Sequence, residues 1–332
     1  MRFLKTFQSA PRMWRLTGRI VIGSSLLLWL LSEAELPKMV EQWKEVDWLF
    51  LLSAGLTIHC VAIILDAGRW QIILKERDLD LPLWPLAVIY LKGAFLGTFL
   101  PGGIGGDVYR MYALAQLTRH KTEAISSVLV ERGMGVLCLL ALGLLALCYS
   151  HLMLGGTGFE TVAAPLFMLS LAFAGVWASM IVLARTKEIA RIDRLYPGCK
   201  KLRQFLETIP LYFSTKSGTG KVVLLSMCLQ LIIVSWSWVV ANSLGYALPF
   251  GVLLVTMPPI LIFTMLPLSI NGIGVRETAY VFFLDPFGIS ATEAITLSLV
   301  SYSIFAALRM LSGILFFFDF EKEVRFVSDI QT

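Results

Sequence analysis

Long apolar blocks dominate this chain and limit what it can fold into. They lie at 20–31, 49–65, 136–147, 163–184, 222–241 and 295–318. A helix that crosses a hydrocarbon layer of ~30 Å needs about 20 mostly apolar residues, and each block reaches that length alone or with its flanks. Hydrophobic residues make up 57% of the chain and charged residues 15%, against roughly 45–50% and 25% in soluble domains. We therefore predict an all-α integral membrane protein, a polytopic helical bundle, and exclude a soluble domain.

The distribution of Lys and Arg predicts which loops face the cytoplasm. Residues 1–19 hold five basic residues and no acid, whereas 33–47 hold five acids and two lysines. The stretch 185–221 carries nine basic residues against three acids. We expect a multi-pass protein of the plasma or inner membrane with cytoplasmic N- and C-termini and an external loop at 33–47. The basic start before the first apolar block also resembles a signal peptide, which is the alternative to a first membrane helix.

Two stretches, 82–121 and 248–293, begin and end on the same side of the membrane under this orientation. Each arm is only about 15–20 residues, at the short limit for a crossing, and each tip is rich in Gly and Pro. Short, broken segments favour re-entrant hairpins whose backbone is covered by protein or water. We expect six crossings plus two re-entrant hairpins. The alternative is that each stretch crosses twice, which gives eight to ten crossings.

The tips of the two hairpins resemble each other. Residues 100–110 read LPGGIGGDVYR and residues 266–276 read LPLSINGIGVR, so both fit L-P-x-x-I-x-G-x-x-x-R. The motifs are 166 residues apart, which is half of the 332-residue chain. We predict a single membrane domain over 1–332, built from two inverted repeats at 1–166 and 167–332. In such folds a site forms where the hairpins meet, near the bilayer midplane.

The residue types at the tips predict anion binding. Glycine permits positive φ and close backbone approach, and a helix that starts after such a turn presents free N–H groups. Arg110, expected one turn into its helix, and Arg276 would hold a phosphate or another anion. Asp107 and Glu277 would pair with these arginines, receive a cationic headgroup or carry a proton. Ionisable groups at membrane depth usually face a cavity or a partner.

Two purely structural explanations of these residues are alternatives to a binding site. The glycines could serve only to let helices pack closely, and Glu131 and Arg132, which lie early in an apolar helix, could pair locally. The candidate substrate-binding residues are Gly102, Gly103, Gly105, Gly106, Asp107, Arg110, Glu131, Arg132, Gly272, Gly274, Arg276 and Glu277.

Motifs for metal, cofactor or ATP use are missing from the sequence. The five cysteines contain no C-x-x-C pair, and the three histidines share no ligand spacing. Residues 218–221 read GTGK but lack the spacing of a P-loop. We expect no catalytic residue, no metal and no cofactor, and transport that is passive, driven by lipid supply or coupled to an ion gradient.

The motifs at 100–110 and 271–277, with Glu131-Arg132 between them, resemble the membrane domain of lysylphosphatidylglycerol synthases. This flippase-like family is also called UPF0104, and the resemblance covers roughly residues 15–320. It implies translocation of a lipid between leaflets. In the full-length synthases a soluble domain attaches the amino acid. The longest polar stretch here, 185–221, cannot hold such a domain, so synthetic activity is not expected.

The resemblance also implies roles for single residues. Asp107, Arg110, Arg276 and Glu277 match polar positions that recur in the family. An Asn that the family often shows shortly before the first Pro is absent, because this chain has Gly97-Thr98 there. Any contact that depends on that Asn is therefore in doubt.

Together these observations predict a lipid flippase or transporter, not an enzyme, for an anionic or modified phospholipid. The expected partners are membrane lipids with phosphate-bearing headgroups and no nucleic acid; a cytoplasmic lipid-modifying enzyme and a homo-oligomer stay open. One alternative is an intramembrane lipid-linked transferase. Another is a membrane scaffold on which a cytoplasmic enzyme docks through 185–221.

Overall fold

The protein is all-α, as the apolar blocks predict. The computed structural model describes residues 21, 23–32, 34–99, 104–153, 159–185, 208, 212, 215–266 and 268–317, and these ranges contain helices and no strand. The helices are α1 Gly23–Ser32, α2 Leu36–Glu45, α3 Trp48–Lys75, α4 Leu83–Gly97, α5 Ile104–Thr118, α6 Lys121–Met153, α7 Glu160–Arg185, α8 Lys216–Ser243, α9 Phe250–Met265, α10 Val275–Leu284 and α11 Ala291–Ser312. Short 3₁₀ turns lie at Ile270–Gly272, Asp285–Phe287 and Gly313–Phe317.

Five described helices are long and apolar enough to cross a membrane, namely α3, α6, α7, α8 and α11. Their lengths confirm a multi-pass membrane protein. The stretch expected as an external loop at 33–47 instead contains α2, whose Met39 packs with Leu30 of α1 and Ile295 of α11. Because this stretch alternates acids with Leu, Met, Val and Trp, it can bury an apolar face that a count of charges misses.

The hairpin arms are short. Helices α4 and α5 have 15 residues each, α9 has 16 and α10 has 10. At 1.5 Å per residue their lengths are about 15–24 Å, less than the ~30 Å hydrocarbon layer. Pro82 and Pro249 directly precede α4 and α9 with extended backbone. Proline has a fixed φ and no backbone N–H, so it is tolerated at the start of a helix, where an N–H would have no intrahelical partner.

The long helices enclose both hairpins. In the first half α4 packs against α3 and α5, and α5 packs against α6. In the second half α9 packs against α8 and α10, and α10 packs against α11. Between the halves α3 packs on α8, α6 on α9 and α4 on α11. The arms of both hairpins therefore pack against the longer helices.

Helix α1, which the sequence left open as a signal peptide, packs on the second hairpin. A Cβ added at Gly23 would lie 2.9 Å from both Ile273 O and Ser269 Cβ. A real Cβ essentially never comes this close to another heavy atom. The glycine therefore lets α1 approach the backbone of the tip directly.

Candidate functional site

A buried carboxylate holds four elements of the first half together. Glu131 of α6 is 1% exposed and accepts hydrogen bonds from Arg69 of α3, with Nη2 at 2.9 Å and Nε at 3.2 Å. Tyr90 of α4 and Arg110 of α5 also donate to this carboxylate. Two guanidinium groups thus share one carboxylate inside the bundle.

Further ion pairs extend this centre in both directions. Asp66 accepts from Arg69 at 2.8 Å, and Asp107 accepts from Arg110 at 3.4 Å and from Arg132 Nε at 2.7 Å. We call this group the Glu131 cluster; its members are Asp66, Arg69, Tyr90, Asp107, Arg110, Glu131 and Arg132. It holds three arginines and three carboxylates, so its charges balance. Pairing of Glu131 with its neighbour Arg132 is not what the structure shows, because each bonds to a different partner.

Aromatic rings enclose Arg110. Its guanidinium carbon lies 3.7 Å from the ring centroid of Tyr90 and 4.4 Å from that of Trp70. The Trp70 indole donates to Ser127 Oγ at 3.1 Å, which fixes the ring. Arg110 lies nearly two turns into α5, not one turn as expected from the sequence. Its binding to substrate stays a prediction, since two carboxylates and two rings already surround it.

Arg132 is the accessible end of the Glu131 cluster. Its side chain is 46% exposed, whereas those of Arg110 and Arg69 are 5% and 8% exposed. Nε bonds to Asp107, and the two terminal nitrogens make no hydrogen bond to any residue in the described ranges.

A second cluster forms at the start of α10. Glu277 is 0% exposed, and its carboxylate accepts from the backbone N–H of Gly274 at 2.7 Å, from Arg276 Nε at 3.0 Å and from Ser298 Oγ at 2.9 Å. The guanidinium of Arg276 lies 3.8 Å from the ring centroid of Tyr302 on α11. We call these five residues the Glu277 cluster. Glu277 pairs with Arg276, as predicted, and also satisfies a free N–H at the start of its helix.

The glycines divide into two groups. Gly272 and Gly274 have φ of 76° and 81°, so the second tip has the positive φ that the sequence predicts. Gly105 and Gly106 instead lie inside α5, and a Cβ at Gly106 would lie 2.6 Å from Gly93 O of α4. At Gly106 the alternative of close helix packing therefore describes the structure. Gly102 and Gly103 lie outside the described residues.

The two tips touch. Asn271, next to Gly272, donates from its side-chain amide to Thr98 O at the end of α4 over 3.1 Å, and it also contacts the Tyr302 hydroxyl. This contact links the second tip, next to the Glu277 cluster, to α4, which carries Tyr90 of the Glu131 cluster. We call it the hairpin junction and define it as Thr98, Asn271 and Tyr302.

Sequence reasoning missed several of these residues. Arg69 and Asp66 were visible as charges at the end of an apolar block, but Glu131, the second partner of Arg69, lies 62 positions further along the chain. Tyr90, Ser298 and Tyr302 carry no charge and stand in apolar runs, so no signal in the sequence distinguishes them. No group of three or more His, Cys, Asp or Glu side chains that could hold a metal occurs within the described part of the chain.

The fold and these clusters define a polytopic helical membrane protein with paired charges inside its bundle. The family model of the lysylphosphatidylglycerol synthase TM region matches residues 16–313, so the chain belongs to this family, as its motifs predict. It is also similar to the UPF0104 membrane protein PH1989 of Pyrococcus horikoshii, with 24% identity over 89% of this chain and 95% of the relative. No solved structure matches the chain significantly. These matches support a lipid-related membrane protein.

Proposed function

We propose that this protein moves an anionic or modified phospholipid between the two leaflets. The headgroup passes the hairpin junction while the acyl chains stay in the bilayer. The observation that carries this proposal is the contact between the second tip and the end of α4, where Asn271 donates to Thr98 O between two clusters of buried charges. Charged side chains are expensive at membrane depth and usually mark a substrate or ion pathway.

The pattern of helix packing fits the predicted inverted repeat and supports the proposal. If α3, α4, α5 and α6 are exchanged for α8, α9, α10 and α11, the packing pairs reproduce themselves. The pairs α3–α4, α4–α5 and α5–α6 become α8–α9, α9–α10 and α10–α11, and the pair α6–α9 becomes α11–α4. Two re-entrant hairpins related in this way would meet near the midplane, which is where transporters of this architecture bind their substrates.

The positions of the clusters along their helices fit a pathway. Glu131 follows the start of α6 at Lys121 by ten residues, about 15 Å, and Ser298 follows the start of α11 at Ala291 by seven, about 10 Å. Under the inverted repeat these two starts face opposite sides of the membrane. The Glu131 cluster then lies in one leaflet and the Glu277 cluster in the other, with the junction between them.

Reconstitution tests the proposal. Liposomes with and without the protein carry a trace of fluorescent phosphatidylglycerol, and dithionite destroys only the label it can reach from outside. If the protein moves lipid, labelled lipid from the inner leaflet reaches the outer leaflet, where dithionite destroys the label. The fluorescence is then lost completely. Arg132→Gln removes the accessible cation and should slow this phase roughly 10- to 100-fold, the range expected for charge-assisted hydrogen bonds.

The matched control is Lys121→Gln, which makes the same charge change at an exposed position on the same helix. It should transport at the wild-type rate. A rate of lipid movement no higher than in protein-free liposomes would refute translocation. A wild-type rate for Arg132→Gln would refute the role of Arg132 in this site. Chromatography of the lipids after the assay separates transport from transferase chemistry, because a transporter leaves them chemically unchanged.

A further inference from the structure

Helices α5 and α6 each present a row of exposed side chains. The two helices pack against each other and are separated by only two residues, so they run antiparallel. The exposed residues recur at spacings of three or four, which puts each row on one side of its helix. We call the two rows the α5–α6 face; its members are Val108, Tyr112, Gln116, Ile125, Leu129 and Arg132. Arg132 is the single charged member of this face.

The depth of Arg132 follows from the length of its helix. With 33 residues α6 is about 50 Å long, slightly more than the ~40–45 Å of a bilayer with its headgroups, so its start at Lys121 lies at a membrane surface. Arg132 follows Lys121 by eleven residues, about 16 Å, whereas each headgroup layer is only about 5–8 Å thick. The backbone of Arg132 therefore lies on the order of 10 Å inside the hydrocarbon layer.

A carboxylate of α5 holds the Arg132 side chain at this depth. Long basic side chains often extend toward the membrane surface, but Arg132 Nε donates to Asp107 at 2.7 Å. Asp107 lies eleven residues before the end of α5 at Thr118, so it has about the same depth. Arg132 is nevertheless 46% exposed, and its terminal nitrogens are unbonded within the described ranges. Because an exposed charge is expensive in hydrocarbon, these free donors favour an anionic partner from the bilayer.

Ion pairs connect this exposed arginine to the inside of the bundle. The exposed fraction of the side chain falls from 46% at Arg132 to 15% at Asp107, 5% at Arg110 and 1% at Glu131. Each of these side chains is bonded to the next. A guanidinium offers a planar fork of donors that matches the oxygens of a phosphate. A phosphate on Arg132 would therefore bind at the outer end of the Glu131 cluster.

We propose that the α5–α6 face is a lateral binding site for a phospholipid, whose phosphate leaves the headgroup layer and binds the terminal nitrogens of Arg132. The proposal rests on the function proposed above and specifies where the lipid enters: from the leaflet at the start of α6, through the side of the bundle. The apolar members of the face contact the acyl chains. Tyr112 and Gln116 lie nearer the end of α5 at the membrane surface, where they hydrogen-bond the descending headgroup. Free inorganic phosphate shares the recognised chemistry and is the competing source of the anion.

Photolabelling of the full chain in liposomes tests this face separately from transport. The probe is phosphatidylglycerol with a photoreactive diazirine on its headgroup, and mass spectrometry of peptides locates the label. Label should reach Leu129 but not Leu171, which is 67% exposed and follows the start of α7 by eleven residues, the depth of Arg132 on α6. Unlabelled phosphatidylglycerol should compete, whereas diacylglycerol with the same acyl chains and inorganic phosphate should not. Arg132→Gln should weaken the labelling roughly 10- to 100-fold, and Lys121→Gln should leave it unchanged.

Two further variants guard against a loss of fold. Arg132→Lys keeps the charge beside Asp107 but not the planar fork, so its labelling should lie between those of wild type and Arg132→Gln while it melts at the wild-type temperature. Leu129→Trp fills the face one turn from Arg132 and should reduce both labelling and lipid movement, whereas Leu171→Trp, the same change on α7, should reduce neither.

Three results would overturn this site. Equal labelling of Leu129 and Leu171 would mean ordinary contact with the surrounding lipid. Unchanged labelling in Arg132→Gln would remove the phosphate contact. Full competition by inorganic phosphate would assign Arg132 to the free ion.

The face and the function can fail separately. If labelling of the face depends on Arg132 but no lipid moves in liposomes, the site stands and translocation is refuted. If lipid moves but the headgroup probe leaves the face unlabelled, translocation stands and lateral entry at α5 and α6 is refuted.

Discussion

Replacing Glu131 by Gln tests whether the charge network holds the first half together. The substitution keeps the size of the side chain and removes the negative charge that Arg69 and Arg110 share. The Glu131 cluster, balanced in the wild type, would then carry a surplus positive charge in a buried position. Breaking a buried ion pair in this way destabilises a protein by about 3–5 kcal/mol.

The structure places the expected value at the lower end of that range. Arg69 keeps Asp66 at 2.8 Å and Arg110 keeps Asp107 at 3.4 Å, and the Gln carbonyl still accepts hydrogen bonds. We expect about 3 kcal/mol. Since 1 kcal/mol shifts the melting temperature of a chain of a few hundred residues by roughly 2–4 °C, the melting temperature should fall by ~6–12 °C.

Thermal unfolding in detergent, followed by tryptophan fluorescence, measures this shift. Glu123→Gln is the control on the same helix, because Glu123 is partly exposed and its ion pair with Arg77 spans 3.7 Å. Pairs of that kind contribute about 0–1 kcal/mol. The double variant Glu131→Gln with Arg110→Leu restores the balance of charge. Its melting temperature should fall by less than the sum of the decreases in the two single variants. A shift below about 2 °C for Glu131→Gln, less than 1 kcal/mol, would refute the network as a source of stability.

Two further changes test local structure by thermal unfolding. Gly106→Ala should destabilise the protein, because the added Cβ would lie 2.6 Å from Gly93 O and push α4 and α5 apart. Gly175→Ala should instead stabilise α7 by about 0.5–1 kcal/mol, because an added Cβ there has nothing within 4 Å. An equal response of the two variants would contradict the close approach of α4 and α5. Glu277→Gln should lower stability by more than the ~1 kcal/mol typical of a lost helix cap, since it also leaves a buried arginine without its anion. Glu293→Gln, an exposed cap at the start of α11, is its control, and a smaller loss at Glu277 than at Glu293 would refute this reasoning.

The class of protein could be predicted from the sequence because membrane insertion depends on contiguous apolar length. Each of α3, α6, α7, α8 and α11 overlaps one of the apolar blocks, and no tertiary contact is needed to recognise it. The positive φ of Gly272 and Gly274 was predictable for a similar reason, since a tight turn is a local property of the backbone.

The sequence predicted only the local partners of the arginines. Arg110 pairs with Asp107 as expected, but the structure also gives it Glu131 and stacks it between Trp70 and Tyr90, in the place of the expected phosphate or other anion. These contacts depend on how α3, α4, α5 and α6 rotate about their axes when they pack.

The sequence by itself thus determined that the chain enters the membrane as helices, where the two hairpins break, and that charges accompany each break. Only the tertiary structure decided which charges neutralise one another and which keep free donors. The physical reason is the separation of the interacting residues along the chain. Hydropathy and turn geometry are properties of neighbouring residues, whereas Arg69 meets Glu131 across 62 positions and Asn271 meets Thr98 across 173. Contacts of that range exist only after every helix has taken its place.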